Sequence, residues 1–238
     1  MITVNISQWC AWAPGLQTRA DWQAWATGNV SASAVTQAPD VSFLPALQRR
    51  RLSTLARMAF AVGWPLAEGL EKLPLVFVSR HGETPRTFAI LSELARQEPL
   101  SPTQFSLSVH NAVIGLWSIM RGETSEMTAI AATDDGFEHG MLEAAGLLND
   151  GSPAVLLIIA EDAPPAAYRQ WIDDVPFAYA VGLLLTPGKQ WQLSSSVAAD
   201  VPAADLPHAL SWLRATLNGQ NGFIHSGKRC TWNWQHRP

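Results

Sequence analysis

The chain has 238 residues, enough to bury a sizeable core without disulfides or a metal. Apolar residues make up 47% and mean hydropathy is +0.04, while charged residues are only 15%, against the ~25% usual for a soluble domain. Sixteen Lys and Arg against twenty Asp and Glu give a net charge of -4 with no basic stripe, which argues against sequence-independent binding to nucleic acid.

Eleven tryptophans accompany this shortage of charge. The combination marks either an unusually buried core or a surface that another subunit covers. Cys10 and Cys230 have no CxxC partner and no Cys/His cluster of zinc spacing, so they read as free thiols of a cytoplasmic protein, with neither metal nor cofactor implied. The opening MITVNISQWCAWAPG has no basic region ahead of an apolar one, and nowhere is there the run of ~18 uncharged apolar residues that a membrane helix requires. Neither a secretory signal nor a membrane span is expected.

Residues 1–13 alternate loosely and end at Pro14-Gly15, a strand and a turn. Residues 18–28 read as a short helix stopped by Gly28, and 29–41, rich in Ser, Ala, Thr and Pro, as a loop. After Pro45, Leu47, Leu52, Leu55, Met58 and Ala59 recur at helical spacing, with Arg49, Arg50 and Arg51 on a solvated face. Residues 73–79 form a short apolar strand and 87–97 a helix broken by Glu98-Pro99-Leu100-Ser101-Pro102. A buried helix is predicted over 105–120, a strand over 126–132, and a second buried helix from Asp134-Asp135-Gly136 to Leu148. Residues 154–160 (AVLLIIA) are apolar on both faces, as in a central strand covered by helices. Residues 177–185 and 190–195 read as two strands separated by a Pro187-Gly188 turn, 206–217 as a helix, and the rest as a tail ending in Trp232-Asn233-Trp234. The alternation indicates one layered α/β domain over 1–238.

Two motifs carry chemistry. Arg80-His81-Gly82-Glu83-Thr84, directly after a strand, resembles the phosphate pocket of the histidine phosphatase and phosphoglycerate mutase family. There a histidine accepts the phosphoryl group and an arginine clamps it in bidentate fashion. His225 could supply a second histidine, but the Asn and Arg expected soon after the motif are missing, and some 75 residues precede it. A polar turn leaving a strand is the plainer reading.

The second runs from Ser101 to Asp162. A Ser-Pro opening leads to an Asn-containing helix ending in Ile119-Met120-Arg121-Gly122, then a short strand, an elbow at Thr133-Asp134, a helix with Gly and paired Ala, and an apolar strand. This order resembles the N-terminal half of the beta-ketoacyl-ACP synthase family. Residues 105–112 (FSLSVHNA) resemble its chain-length-factor-like branch, associated with aryl polyene biosynthesis. The resemblance implies a thiolase-like layered sheet with buried helices and a subunit that pairs with an active beta-ketoacyl-ACP synthase, with an acyl carrier protein as a further partner.

The departures define the expected role. A condensing enzyme of that family needs a thiolate at the head of the buried helix, where the helix N-terminus lowers the thiol pKa. Asp134 stands there instead, and a carboxylate cannot accept an acyl group from a thioester in its place. The two histidines that polarise the malonyl group have no counterpart, since His208, His225 and His236 lack a Gly-rich setting. No catalytic residue is therefore expected. Asp134 could cap the helix, shape a tunnel base with Thr133, or act with His139 in hydrolysis, the two being about 1.4 helical turns apart. The resemblance further implies that Phe105, Ser108, Val109, His110 and Asn111 border the partner's acyl tunnel, and that Met127 and Ile130 lie on a strand pairing across the two-fold.

Overall fold

The computed structural model describes residues 1–33, 38–197, 205–227 and 229–237. The elements are β1 (Ile2–Trp12), α1 (Arg19–Ala26), α2 (Ala46–Arg49), α3 (Thr54–Leu66), β2 (Leu75–Val78), α4 (Thr84–Ala95), α5 (Pro102–Ser106), α6 (Ala112–Arg121), β3 (Met127–Ile130), α7 (Gly136–Asn149), β4 (Val155–Glu161), β5 (Tyr179–Val197), α8 (His208–Leu217), β6 (Gly222–Ser226) and β7 (Cys230–His236). Of the loop expected over 29–41, residues 34–37 lie outside the described residues.

One mixed sheet of seven strands organises them, in the order β3-β2-β4-β5-β7-β6, with β1 on the other edge of β5. β3, β2 and β4 are parallel, and β4 and β5 antiparallel. The two-residue strand period divides the core between the faces. Val76, Val78, Leu157 and Ile159 meet Phe137 and Met141 of α7 and Trp212 of α8 on one side. Leu75, Phe77, Leu156 and Ile158 meet Met58 and Phe60 of α3 and Trp117 of α6 on the other. Every residue of β4 is buried, as its two-sided apolar run predicts.

α7 approaches the sheet closely because Gly140 has no side chain. A Cβ there would lie 2.7 Å from Val78 Cγ2 and 2.9 Å from Leu157 Cδ1.

Four expectations are corrected. The helix after Pro45 is two helices. Ser53 caps the second through a bond from the Ala56 N–H, and Leu47, expected on the apolar face, is 75% exposed on the first. The helix expected over 105–120 is also broken: α5 ends at Ser106 and α6 begins at Ala112. Ser106 and Ser108 turn their hydroxyls back onto the Pro102 and Phe105 carbonyls, competing with the helical ladder.

Pro187-Gly188 does not turn the chain. β5 runs through it, since β1 pairs with both halves, Val4 opposite Trp191 and Asn5 opposite Thr186. The intervening residues form a bulge, held by a bond from the Gln190 N–H to Asn5 Oδ1. This lets β5 pair with β4 along its first half and with β7 along its second. Finally, the expected tail is the hairpin β6–β7, whose Trp232 and Trp234 are core residues.

Candidate functional site

Parallel strands place the loops that follow them side by side at one end of the sheet. A cavity of about 420 Å³ opens there, lined among others by Arg80 after β2, Thr133 and Asp134 after β3, Glu161 at the end of β4, Tyr179 at the start of β5, and His208 at the start of α8. This is where α/β sheets bind ligands.

Arg80 Nη1 lies 2.9 Å from both Asp134 Oδ1 and Asp174 Oδ2. His81 Nε2 is 2.9 Å from Asp174 Oδ1. Behind them the buried Glu161 carboxylate accepts from the Ser79 hydroxyl and from the backbone N–H groups of Arg80 and His81. Burial nevertheless pushes this carboxyl up to about 7, against those bonds and the His81 charge. Burial likewise raises the Tyr179 phenol well above its ordinary value, with Glu161 and Asp174 adding to it.

This geometry speaks against the phosphatase reading. The Arg80 guanidinium, which would clamp a phosphate, is held between two carboxylates. The proposed second histidine, His225, is buried on Glu138 rather than on the Asp174 that holds His81.

Of the sequence-expected residues, Thr133 and Asp134 do line the cavity together. Asp134 is not the N-cap of α7; that position is Asp135, whose side chain makes no capping bond. His139 Nδ1 turns to the Asp135 carbonyl at 2.9 Å and its carboxylate at 3.5 Å, which leaves no support for an Asp134/His139 hydrolytic pair.

Met127 and Ile130 stand on β3, the sheet's edge strand, and pack against opposite core clusters. Phe105 and Val109 are 65% and 46% exposed, and Asn111 is the N-cap of α6 without a side-chain capping bond. His110 points inward, its Nε2 2.7 Å from the Ser79 carbonyl oxygen. It packs on Gly82, where a Cβ would come within 2.9 Å of the ring, and Gly82 also carries a positive φ of 53°. The segment 105–111 therefore presents a mostly exposed surface with one residue anchored beneath the Arg80 loop.

A second polar cluster lies deeper. Glu138 of α7 is fully buried; Oε2 is 2.8 Å from His208 Nδ1, Oε1 is 2.7 Å from His225 Nδ1, and Trp234 Nε1–H donates to Oε1 at 3.1 Å. Burial alone would raise the Glu138 carboxyl, but the bonds and charges of the two imidazoles hold it below its ordinary value. Burial lowers both imidazoles; for His208 the bond and charge of Glu138 win and raise it, while for His225 burial wins. Sequence reasoning missed this cluster. Its members are 70 and 87 residues apart and show no spacing motif.

Comparison with known proteins agrees with this architecture. A family model described as beta-ketoacyl synthase, N-terminal domain, matches residues 22–235. No curated protein matches. Among solved structures, the Xenorhabdus doucetiae ketosynthase (ApeO) in complex with its chain length factor (ApeC) aligns with a TM-score of 0.88 at 32% identity, over 99% of this chain and 100% of the matched one. The ishigamide ketosynthase/chain length factor aligns at 0.63 with 15% identity, over 83% and 68%. AntDE:AntF, a type II PKS acyl-carrier protein in complex with its ketosynthase, aligns at 0.66 with 11% identity over the whole of both chains. At these last identities the likeness is one of fold. Among the described residues no helix is long and apolar enough to cross a membrane. The layered α/β sheet of the thiolase fold and the match over most of its length place the chain in the beta-ketoacyl synthase N-terminal domain family.

Proposed function

We propose that this chain is a non-catalytic, chain-length-factor-type subunit. It pairs with an active beta-ketoacyl-ACP synthase in type II fatty acid or polyketide biosynthesis of the aryl polyene kind, and helps to shape the partner's acyl tunnel. The observation that carries the reading is the head of α7. Where the family's nucleophilic thiol would stand, Asp134 is tied to Arg80 at 2.9 Å. A carboxylate in an ion pair offers neither the nucleophilicity nor the thioester chemistry of condensation.

The likeness to a structure described as a ketosynthase in complex with its chain length factor supports the pairing. So does the open edge of β3, which is hydrogen-bonded on one side by β2. An apolar edge strand is a template for another chain unless it is covered. Exposed Leu91 and Leu94 on α4, Phe105 on α5 and Ile119 on α6 add apolar surface suited to a partner. An acyl carrier protein would deliver substrate to the pair, with chemistry confined to the partner.

The test is co-expression with a candidate ketosynthase, followed by size-exclusion chromatography and an elongation assay. The reading predicts a heterodimer in which the ketosynthase elongates and this chain alone does not. Condensation by the isolated chain, or no complex with any ketosynthase encoded beside it, would overturn it.

A further inference from the structure

The Glu138 cluster takes no part in the role proposed above. It joins α7 to α8 and to the β6–β7 hairpin through one carboxylate and two imidazoles. The ligand atoms of Glu138, His208 and His225 all lie within 4.8 Å of one another, and all three residues are buried. We propose that these residues form a zinc-type divalent-cation site, which fastens the C-terminal hairpin to the helix behind Asp134.

The donor set is the first argument. Two imidazole nitrogens and one carboxylate oxygen suit Zn²⁺, which they bind at about 2.0–2.2 Å, and a tetrahedral ion spaces such ligands roughly 3.3 Å apart. The Glu138 oxygens now lie 2.8 and 2.7 Å from the two Nδ1 atoms, so an ion would need to part them by about half an ångström.

The second argument is the environment. Trp234 Nε1–H holds Oε1 from outside, as a supporting donor orients a ligating carboxylate. His208 also lines the 420 Å³ cavity, which would offer an ion an entry and room for a water as fourth ligand. Asp134 and Asp135 both act electrostatically on His208 and would offset the charge left over after Glu138.

The third argument is that hydrogen bonding does not complete the cluster. Among the described residues, the buried His225 Nε2 has no hydrogen-bond partner. No described group fixes the tautomer on that side, so His225 can carry its proton on Nε2 and present the Nδ1 lone pair to an ion, with Nε2 unpartnered in either state. His208 likewise keeps one proton on Nε2, and any second proton leaves to solvent as the metal enters. The stacked rings, with centroids 4.3 Å apart, would have to splay, which the cavity beside His208 permits.

The test uses the full chain, alone or with its ketosynthase, stripped with chelator and then loaded with Zn²⁺ or Co²⁺. One ion per chain retained through dialysis, the visible absorption of four-coordinate cobalt, and a rise in Tm that chelator reverses are expected. In the wild-type chain, long-range ¹H–¹⁵N spectra of the imidazoles should show Nδ1 of two histidines perturbed. Glu138→Gln and His208→Asn should each weaken binding at least tenfold, while His139→Ala should not. A folded wild-type chain that retains no ion and shows no Tm shift overturns the proposal, as does binding that perturbs other histidines or survives both variants. Should the variants fail to fold, the wild-type spectra and stoichiometry still decide.

Discussion

Arg80 and Asp134, 54 residues apart in sequence, meet at 2.9 Å in the lining of the cavity. Each follows a parallel strand, β2 and β3 respectively, and the pairing of Val78 with Ile130 brings the two loops level. The head of α7 thereby carries an ion pair with an arginine that Asp174 shares.

Asp134→Ala should leave the partner's condensation rate within a few-fold, because the proposed role gives that carboxylate no chemical step. Both side chains of the ion pair are about a third exposed, 33% and 39%, so its loss should cost ~0–1 kcal/mol. Turnover of the purified complex and a urea melt of the chain measure the two. A loss of several orders of magnitude in turnover, with the complex intact, would sink the non-catalytic reading.

Exchanging Phe105, Ser108 or Val109 for a larger or smaller side chain should shift the product-length distribution of the pair and spare its first elongation. These residues stand on an exposed or half-exposed segment, so the chain's own stability should change by no more than about 0.5 kcal/mol. Product profiling by mass spectrometry checks the first statement. Unaltered distributions for all three would mean that the segment faces away from the partner's tunnel.

Met127→Asp or Ile130→Asp should prevent assembly. Both side chains are half-buried on the edge strand, and a partner covering it would strand an unpaired carboxylate at a cost of several kcal/mol. Size-exclusion chromatography of the co-expressed pair reads the outcome. A heterodimer indifferent to both substitutions would place the interface elsewhere.

Gly140→Ala should destabilise the chain by about 1–3 kcal/mol, because the new methyl group must displace Val78 and Leu157 in a packed helix–sheet contact. Gly146→Ala, on the same helix with nothing within 4 Å of the added Cβ, should be neutral or mildly stabilising. Comparing their melts separates the packing effect from helix propensity.

Glu161 gives a pH dependence. Its carboxyl is raised from 4.5 to about 7 by burial, so between those values the folded chain holds a proton that the unfolded chain has lost. Stability from this group is full below about 4.5 and falls as pH rises through 7, by up to ~3 kcal/mol. Glu161→Gln should flatten that part of the stability profile. An unchanged slope in denaturation midpoints across this range would show that the carboxyl is already ionised in the folded chain.

The sequence by itself determined the layers. The two-sided apolar run of β4, the Gly122 stop after α6 and the polar junction at Asp134-Asp135-Gly136 each encode a local structure through periodicity or backbone preference, and each appears where expected. The family's motif order around residues 101–162 was legible for the same reason, since it is a succession of local elements. Tertiary structure decided what local signals do not encode. Pro187-Gly188 looks like a turn until β1 pairs with both sides of it, and the short alternating run around Trp232 and Trp234 looks like a tail until β5 and β6 pair with it. Likewise, which of six histidines meet a carboxylate depends on α7, α8 and β6 converging on one buried point. Such convergence is a property of packing between distant segments, where burial makes a paired charge obligatory and sequence spacing carries no trace of it.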